Sequence, residues 1–240
     1  MAEPLTPVTP RPVRVALLAQ WWRRVSFVHW AVSPDEVAHL MPPTVRPDVI
    51  DGVTYVGLVA FRMERTRVFG TPPVPYLGTF EETNVRLYSV DAQGRRGVVF
   101  LSMDASRLLP VMVARTVLGL PYRWSEMRLD AADRTVTYTC RPVGQRPSRL
   151  AVEIGERIEP SPLDLFLTAR WGLHLGRGYL GNDHQAWPLT SARLLTCDDS
   201  LVAMAGLPGL TDQPPASVLY SPGVYARFGP PEVSGAPRTG

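Results

Sequence analysis

The sequence predicts one mainly β domain, built as a curved antiparallel sheet or barrel with about three peripheral helices. At 240 residues, of which 45% are hydrophobic, the chain is long enough to bury a substantial core. Many short segments alternate apolar and polar residues between turns, whereas few segments have helical periodicity. We place the domain at residues 14–228 and expect a disordered Pro-rich tail at 1–13 and a second disordered tail at 229–240.

The first half of the chain supplies the predicted central strands. Residues 24–30 predict a first strand, and Ser33-Pro34-Asp35-Glu36 then begins a short helix, with Ser as the N-cap and Pro at the first helical position. In residues 53–63, the odd-numbered and the even-numbered positions are both mostly apolar, which predicts a strand covered on both faces. A polar, glycine-containing connection joins residues 82–88 to residues 97–103 and predicts a β-hairpin.

The second half combines two predicted helices with further strands. Residues 111–118 predict a helix, and residues 135–140 alternate strictly, so they predict a half-exposed strand that pairs with residues 150–154. A three- and four-residue spacing predicts another helix, capped by Ser161, and joins Leu163, Phe166, Leu167, Arg170, Trp171 and His174. The chain closes with a predicted hairpin or bent strand that ends at Phe228.

Composition excludes several classes of protein. Every basic residue is an arginine, and these residues are scattered rather than gathered in a stripe, so the net charge of +3 does not indicate a nucleic-acid partner. The absence of lysine excludes any mechanism that forms a Schiff base on a lysine amine. The apolar run at residues 15–22 contains Gln20 and is too short to span a membrane, so we expect a cytoplasmic protein.

Neither a metal nor a cofactor is expected. Cys140 and Cys197 are far apart and lack a C-x-x-C partner, so both are expected to be reduced. No phosphate-binding glycine loop or dinucleotide fingerprint is present. The histidines do not have the spacing of metal ligands, and they are His29, His39, His174 and His184.

A ladder of polar side chains lies on the predicted strand at residues 82–88. Glu82, Asn84, Arg86 and Tyr88 are spaced by two, so all four point to one face. The opposite face, from Thr83 to Ser89, is itself a mixed stripe, so neither face is clearly the dry one. Either the ladder is solvent-exposed and held by cross-strand pairs, or it lines a pocket in which buried charges need partners.

Arg115 is the single charge in the otherwise apolar helix predicted at residues 111–118. Such a side chain must reach water or meet an acid. A guanidinium group binds carboxylates through two parallel hydrogen bonds, so a carboxylate partner is natural. That carboxylate could belong to Glu82 or to a substrate.

Several motifs together resemble the YqjF-like family, whose function is unassigned and which lies within the acetoacetate decarboxylase-like superfamily. They extend from about Gln20 to Phe228 and are Phe27-Val-His29-Trp30, Leu40-Met-Pro-Pro43, Phe80-x-Glu82-x-Asn84-Val-Arg86-x-Tyr88, Leu120-Pro-Tyr122, His184-x-x-Trp187-Pro-Leu189 and Tyr220-Ser-Pro-Gly-Val224. The resemblance implies a strongly bent antiparallel sheet that forms a conical β-barrel, with peripheral helices and a buried central pocket.

The resemblance also implies what this pocket lacks. The decarboxylases carry Gly-x-Pro followed by two lysines, of which the first forms the Schiff base and the second lowers its pKa. The matching stretch starts at Gly119 and places Tyr122 and Arg123 at the two lysine positions. Glu82 resembles the pocket glutamate, and Arg115 resembles the arginine of the preceding helix. The resemblance therefore implies the pocket but argues against the parent reaction.

The sequence leads to one leading hypothesis and two alternatives. The leading hypothesis is a cofactor-independent lyase, isomerase or cyclase acting on a carbonyl or carboxylate compound, by enolisation, dehydration or cyclisation. One alternative is a barrel that binds or senses a small molecule without transforming it. The other is an internal polar network that only fixes the sheet register. The sequence leaves open whether the chain forms a homo-oligomer.

The predicted site residues fall into two sets. The catalytic set comprises Glu82, Tyr122 and Arg115, whereas the substrate-binding set comprises Asn84, Arg86, Tyr88, Arg123, His184 and His29. A raised pKa of Glu82 would favour the enzyme hypothesis, because a carboxyl group that titrates near neutral pH can move protons. A tight ion pair between Glu82 and Arg86 would lower that pKa and weaken the hypothesis.

Overall fold

The structure is a computed structural model, and it describes residues 2–107, 119–176 and 178–233. Its strands are β1 (Leu18–Val32), β2 (Val45–Pro47), β3 (Thr54–Val68), β4 (Phe80–Asp91), β5 (Arg96–Ala105), β6 (Tyr122–Ala132), β7 (Thr135–Pro142), β8 (Ser148–Arg157), β9 (Gly172–Leu175), β10 (Gly178–Asp183), β11 (Thr190–Asp198) and β12 (Ser217–Val233). Its helices are α1 (Pro34–Ala38), α2 (Pro162–Thr168) and α3 (Leu201–Met204), followed by a 3₁₀ turn at Leu210–Asp212. None of these helices is long and apolar enough to cross a membrane.

The strands form one sheet that branches at β5 and at β12 and closes on itself. Strands β12, β1, β3, β4 and β5 lie side by side. From β5 one route returns to β12 through β9 and β10, and a second route returns through β6, β7, β8 and β11. All pairs are antiparallel except β5 with β6 and β5 with β9. This ring-like, strongly curved sheet with peripheral helices confirms the predicted fold class.

The shared strands are buried on both faces because each return route covers one of them. On one face, Leu58 and Leu87 pack with residues of β7 and β8, such as Tyr138. On the other face, which we call the inner face, Phe27 and Phe61 pack with residues that include Leu219. Every residue of β3 from Thr54 to Phe61 is buried, as the two-sided apolar pattern predicts.

Three local predictions are confirmed. Strands β4 and β5 form an antiparallel hairpin. Strands β7 and β8 pair with Tyr138 opposite Leu150. Helix α1 follows the predicted N-cap Ser33, and Glu36 accepts a hydrogen bond of 2.7 Å from the Ser33 backbone N–H, as in a capping box.

The helix predicted from Leu163 to His174 is wrong over its second half. Helix α2 begins at the predicted cap Ser161 but ends at Thr168. Residues 172–175 form β9, in which Leu173 pairs with Leu180. A Cβ atom at Gly172 would lie 2.3 Å from the Tyr179 ring, so this glycine permits the close strand pairing. The three- and four-residue spacing arises here because a short helix is followed by a strand, and both bury apolar residues in the same region.

Both ends of the described chain contact β10. Residues 2–13 form no helix or strand, but Arg11 donates to the Tyr179 hydroxyl at 2.7 Å and the Val13 N–H donates to Asp183 at 2.8 Å. The last element is the bent-strand alternative, and β12 continues past Phe228 to Val233 because β10 pairs with this extension. The helix predicted at residues 111–118, with Arg115, lies outside the described residues.

Candidate functional site

Strand β4 presents the predicted polar ladder to the inner face. Glu82, Asn84 and Arg86 lie opposite Phe61, Val59 and Gly57 of β3, in an uninterrupted register. The exposed fractions are 1% for Glu82, 3% for Asn84 and 0% for Tyr88, whereas Arg86 is half-buried. The ladder is therefore an interior feature, and the solvent-exposed alternative is wrong.

Glu82 lies at one end of this ladder in apolar surroundings. Its Oε2 accepts a hydrogen bond of 2.8 Å from the Tyr122 hydroxyl, and its Oε1 lies 3.5 Å from Asn84 Nδ2. Burial raises the pKa of Glu82 to about 7, although the hydrogen bonds from Tyr122 and Asn84 lower it in part. Near neutral pH, both the acid and the carboxylate of Glu82 are populated, which suits proton transfer.

Tyr122 reaches Glu82 because β6 begins at this residue and pairs in parallel with β5. Tyr122 lies beside Met103, which in turn lies beside Asn84 on β4. Burial raises the pKa of Tyr122 well above its ordinary value, and the nearby charge of Glu82 raises it further. The phenol therefore remains protonated and acts as the donor in this pair.

Arg86 belongs to a different network at the other end of the ladder. Its Nε and Nη2 each donate to the Tyr88 hydroxyl at 3.2 Å, and Nη2 also donates to the Leu167 carbonyl at 2.9 Å. His29 Nε2 lies 2.7 Å from the same hydroxyl. Burial first, and the charge of Arg86 next, lower the pKa of His29 well below its usual range, so the imidazole is neutral. Tyr88 thus holds Arg86 and His29 in place.

Gly57 provides the room for this network. A Cβ atom at this position would lie 3.2 Å from His29 Cδ2, 3.2 Å from the Tyr88 hydroxyl and 3.3 Å from Arg86 Cγ. These are tight contacts for a methyl group in a packed interior. Glycine at this point of β3 therefore allows three polar side chains to converge.

Arg123 points to the opposite face from its neighbour Tyr122, because side chains alternate along β6. Its Nη2 and Nε donate to Asp104 at 2.6 and 3.1 Å, and Ser125 Oγ donates to the same carboxylate at 2.7 Å. The guanidinium group of Arg123 is therefore engaged in an ion pair on the face of β6 away from Glu82. Tyr122 and Arg123 thus lie on opposite faces of β6.

His184 follows β10 and lies in a cluster of tryptophan rings. Its ring centroid is 4.5 Å from that of Trp171, 4.9 Å from that of Trp187 and 5.8 Å from that of Trp22. Its Nδ1 donates to the Gln185 carbonyl at 2.7 Å, and burial lowers its pKa to about 4. His184 is neutral and packs beside the inner face, where Trp187 contacts Phe27 with centroids 5.1 Å apart.

The sequence analysis did not identify a buried ion pair that lies behind the ladder. Arg170, with a side chain 2% exposed, donates from Nη1 to Asp48 Oδ2 at 2.5 Å, and Arg96 donates to the same oxygen. The Arg170 guanidinium lies 4.8 Å from the centroid of the Tyr88 ring and so supports it from behind. In the sequence, Arg170 is a charged residue within an apolar helical pattern, and this could have indicated a buried ion pair. Its partner lies 122 residues away, so sequence could not identify it.

Arg115, predicted to be catalytic, lies outside the described residues. Within the described ranges, no group of three or more His, Cys, Asp or Glu side chains is arranged to hold a metal ion.

The comparison with protein families matches residues 19–225 to DUF2071, a family described as an uncharacterized conserved protein. This chain belongs to the DUF2071 family. The chain is 27% identical over 168 residues to the uncharacterized protein YqjF of Bacillus subtilis, a match that covers 68% of this chain and 69% of YqjF. The predicted YqjF-like resemblance is confirmed.

Solved structures place this DUF2071 member in the acetoacetate decarboxylase-like fold. The acetoacetate decarboxylase of Legionella pneumophila matches with a TM-score of 0.66 and 14% identity, over 95% of this chain and 92% of that chain. The enduracididine biosynthesis enzyme MppR, solved in complex with pyruvate, matches with a TM-score of 0.59 and 16% identity, over 95% and 90% of the two chains. At these identities the comparisons show a common fold.

Proposed function

We propose that this chain is a cofactor-independent enzyme that moves a proton on a small carbonyl or carboxylate compound, as a lyase, isomerase or cyclase. The observation that carries the proposal is the Glu82–Tyr122 pair. A carboxyl group that is 1% exposed accepts a hydrogen bond of 2.8 Å from a phenol, and its pKa is raised to about 7. Arg86 bonds to Tyr88 and Leu167 instead, so the ion pair that would weaken the hypothesis is not formed.

The proposed chemistry assigns one role to each member of the pair. The ionised Glu82 removes a proton from the carbon next to a carbonyl group, and the C–H electron pair moves to the carbonyl oxygen to form an enolate. Tyr122 remains protonated and donates a hydrogen bond to that oxygen as charge develops. Glu82 then returns the proton to the same carbon or to another atom of the substrate. Isomerisation, dehydration and cyclisation all begin with this step.

The proposal is independent of the Schiff-base reaction. The chain contains no lysine, and a Schiff base requires an amine. MppR, which shares the fold, was solved with pyruvate, a compound that carries both a carbonyl and a carboxylate group. That complex supports the choice of compound class for a first screen.

Exchange of substrate hydrogen with solvent tests the proposal without knowledge of the complete reaction. Wild-type protein is incubated in D₂O with a panel of oxo acids and aryl-substituted oxo acids, and loss of the α-proton signal is followed by NMR. We expect Glu82→Gln to abolish the exchange and Tyr122→Phe to slow it by about a hundredfold, because a positioned donor contributes about that much. The matched control is Glu126→Gln, an exposed position on β6.

The binding-only alternative has its own supporting observation. Tyr88 holds the Arg86 guanidinium and His29 in place by hydrogen bonds. The positive charge of Arg86 can then bind an anion without any chemistry at Glu82. If compounds of the panel raise the melting temperature but none exchanges its α-proton, the chain is a binding protein and the enzyme proposal is wrong.

A further inference from the structure

The connection between β3 and β4 exposes large apolar side chains. Phe69 and Tyr76 are each 72% exposed. Val15, in the segment before β1, is 65% exposed and lies in the same region, because the Phe69 backbone N–H donates to the Leu17 carbonyl at 2.8 Å. Neighbouring apolar side chains that stay exposed mark a contact surface.

This connection is ordered by hydrogen bonds and contains strained backbone. We call residues 14–15 and 65–78 the loop tip. The Thr66 N–H donates to the Gly78 carbonyl at 3.0 Å and so ties the two arms of the loop together. Three residues adopt positive φ angles in the left-handed region, and they are Arg65 at 55°, Phe69 at 50° and Tyr76 at 59°. Such strain is concentrated at functional sites, so the exposure of these rings calls for a function.

Arginines without an ion-pair partner accompany the apolar side chains. Arg62 pairs with the two carboxylates that flank the loop in the sequence, Glu64 at 3.2 Å and Glu81 at 2.9 Å. Neither residues 4–19 nor residues 65–80 include an acidic residue. The ion pairs of the described residues therefore leave three arginines of the loop tip without a carboxylate, and these are Arg14, Arg65 and Arg67.

An anionic lipid surface fits the loop tip better than a protein surface does. A stable protein contact needs several hundred Å² of complementary shape on each partner, whereas a bilayer accepts separate aromatic side chains among its headgroups. Lipid phosphates also attract arginines. A second copy of the chain related by a two-fold axis at the loop tip would bring the three arginines against the same three arginines, which repel one another.

We propose that the loop tip docks the protein on an anionic lipid bilayer. The rings of Phe69 and Tyr76 enter the headgroup region together with Val15, and the three arginines lie at the lipid phosphates. Only a few side chains enter the bilayer, so the contact is reversible. This inference goes beyond the proposed function and does not rest on it, since the loop tip includes neither Glu82 nor Tyr122.

Co-sedimentation of the full chain with lipid vesicles tests the proposal. We expect vesicles with about 40% phosphatidylglycerol to bind the protein about a hundredfold more tightly than phosphatidylcholine vesicles, because each of the three arginines contributes about fivefold. Raising the salt concentration from about 0.05 to 0.3 M should release most of the bound protein, because salt screens this attraction.

Variants separate the loop tip from the general positive charge of the protein. Phe69→Ser should weaken binding to the anionic vesicles about tenfold, because an inserted apolar side chain is lost. The matched control is Val143→Ser, which removes a side chain 70% exposed in the turn between β7 and β8. Arg67→Gln should weaken binding about fivefold, whereas Arg149→Gln, at an exposed position of β8, should bind as wild type does. The melting temperature of each variant verifies folding.

Insertion is measured directly with a fluorescent side chain. Phe69→Trp adds an indole at the loop tip, and we expect brominated lipids in the anionic vesicles to quench the fluorescence that this variant gains over wild type. Val143→Trp is the control and should gain fluorescence that brominated lipids do not quench.

Three results would overturn the proposal. Failure of the wild-type chain to sediment with anionic vesicles would leave the loop tip to a protein partner. Equal binding by wild type and Phe69→Ser would show only the electrostatic attraction of a basic protein. Equal quenching of Phe69→Trp and Val143→Trp would show that the loop tip is not the part of the chain that enters the bilayer.

Discussion

The hydroxyl group of Tyr122 donates a hydrogen bond of 2.8 Å to Oε2 of Glu82, and so links the first residue of β6 to the inner face of β4. By resemblance, Tyr122 stands where a decarboxylase carries its Schiff-base lysine. Here that position supplies a hydrogen-bond donor to a carboxyl group instead of a nucleophilic amine. The pair is therefore suited to proton transfer, and its consequences can be measured in the protein without a ligand.

Glu82 should make the protein less stable as the pH rises. Burial raises its pKa from 4.5 to about 7, so the folded state keeps a proton that the unfolded state releases. The contribution is complete below the unfolded pKa and is lost as the pH rises through about 7, by on the order of 3 kcal/mol. Urea denaturation between about pH 5 and pH 8 measures the free energy of unfolding.

The Glu82→Gln variant isolates this effect. His174 and His184, whose pKa values are lowered to about 4, act in the opposite direction at acidic pH, so the difference between wild type and variant is the informative curve. That difference should decline with rising pH, whereas Glu126→Gln should follow wild type. Parallel curves for wild type and Glu82→Gln would show that Glu82 titrates normally.

Tyr122→Phe should shift the titration of Glu82 upward. The hydrogen bond from Tyr122 favours the ionised carboxylate and so lowers its pKa, and the phenylalanine ring removes that contribution. We expect the pH midpoint of the stability change to rise and the free energy of unfolding to fall by about 1 kcal/mol. In the Glu82→Gln background the same substitution should leave no midpoint to shift. A lower midpoint would contradict the assignment.

Gly57→Ala should disturb the Arg86 network with little change in fold. The added methyl group would lie 3.2 Å from His29 Cδ2 and from the Tyr88 hydroxyl, and 3.3 Å from Arg86 Cγ. We expect a loss of about 1–3 kcal/mol in the free energy of unfolding. Gly181→Ala is the control, because its methyl group would meet only Tyr179 Cε1 at 3.6 Å. Equal stability of the two variants would show that the side chains of the network accommodate the methyl group at little cost in free energy.

Asp48→Asn should be strongly destabilising. Asp48 is the shared partner of Arg170 and Arg96, and the Arg170 side chain is 2% exposed. Loss of the carboxylate leaves a buried guanidinium group without its counter-ion, which costs about 3–5 kcal/mol. Asp130→Asn, whose partner Arg128 is exposed, should have little effect on stability, because water screens a surface ion pair. Chemical denaturation of both variants measures the difference, and similar losses would contradict the role given to Asp48.

Local patterns predicted the elements whose structure depends on neighbouring residues. The alternation at residues 135–140, the two-sided apolar run at residues 53–63 and the capping box at Ser33 each correspond to an observed element. The pattern after Leu163 failed because three- and four-residue spacing also arises when a short helix is followed by a buried strand. Strand β6 was not predicted, although it forms a local antiparallel hairpin with β7; its position beside β5 depends on a long-range parallel pairing.

The sequence by itself determined that Glu82, Asn84, Arg86 and Tyr88 share one face and that no lysine is available for a Schiff base. Both conclusions require no knowledge of the fold, because the first follows from the two-residue repeat of a strand and the second from the composition. Only the tertiary structure decided that this face is the buried one, that Glu82 bonds to Tyr122 and that Arg123 turns away to Asp104. Those outcomes depend on how β6 docks beside β5 and on how the sheet closes. Both are set by packing between distant segments, which also sets the burial that raises the pKa of Glu82.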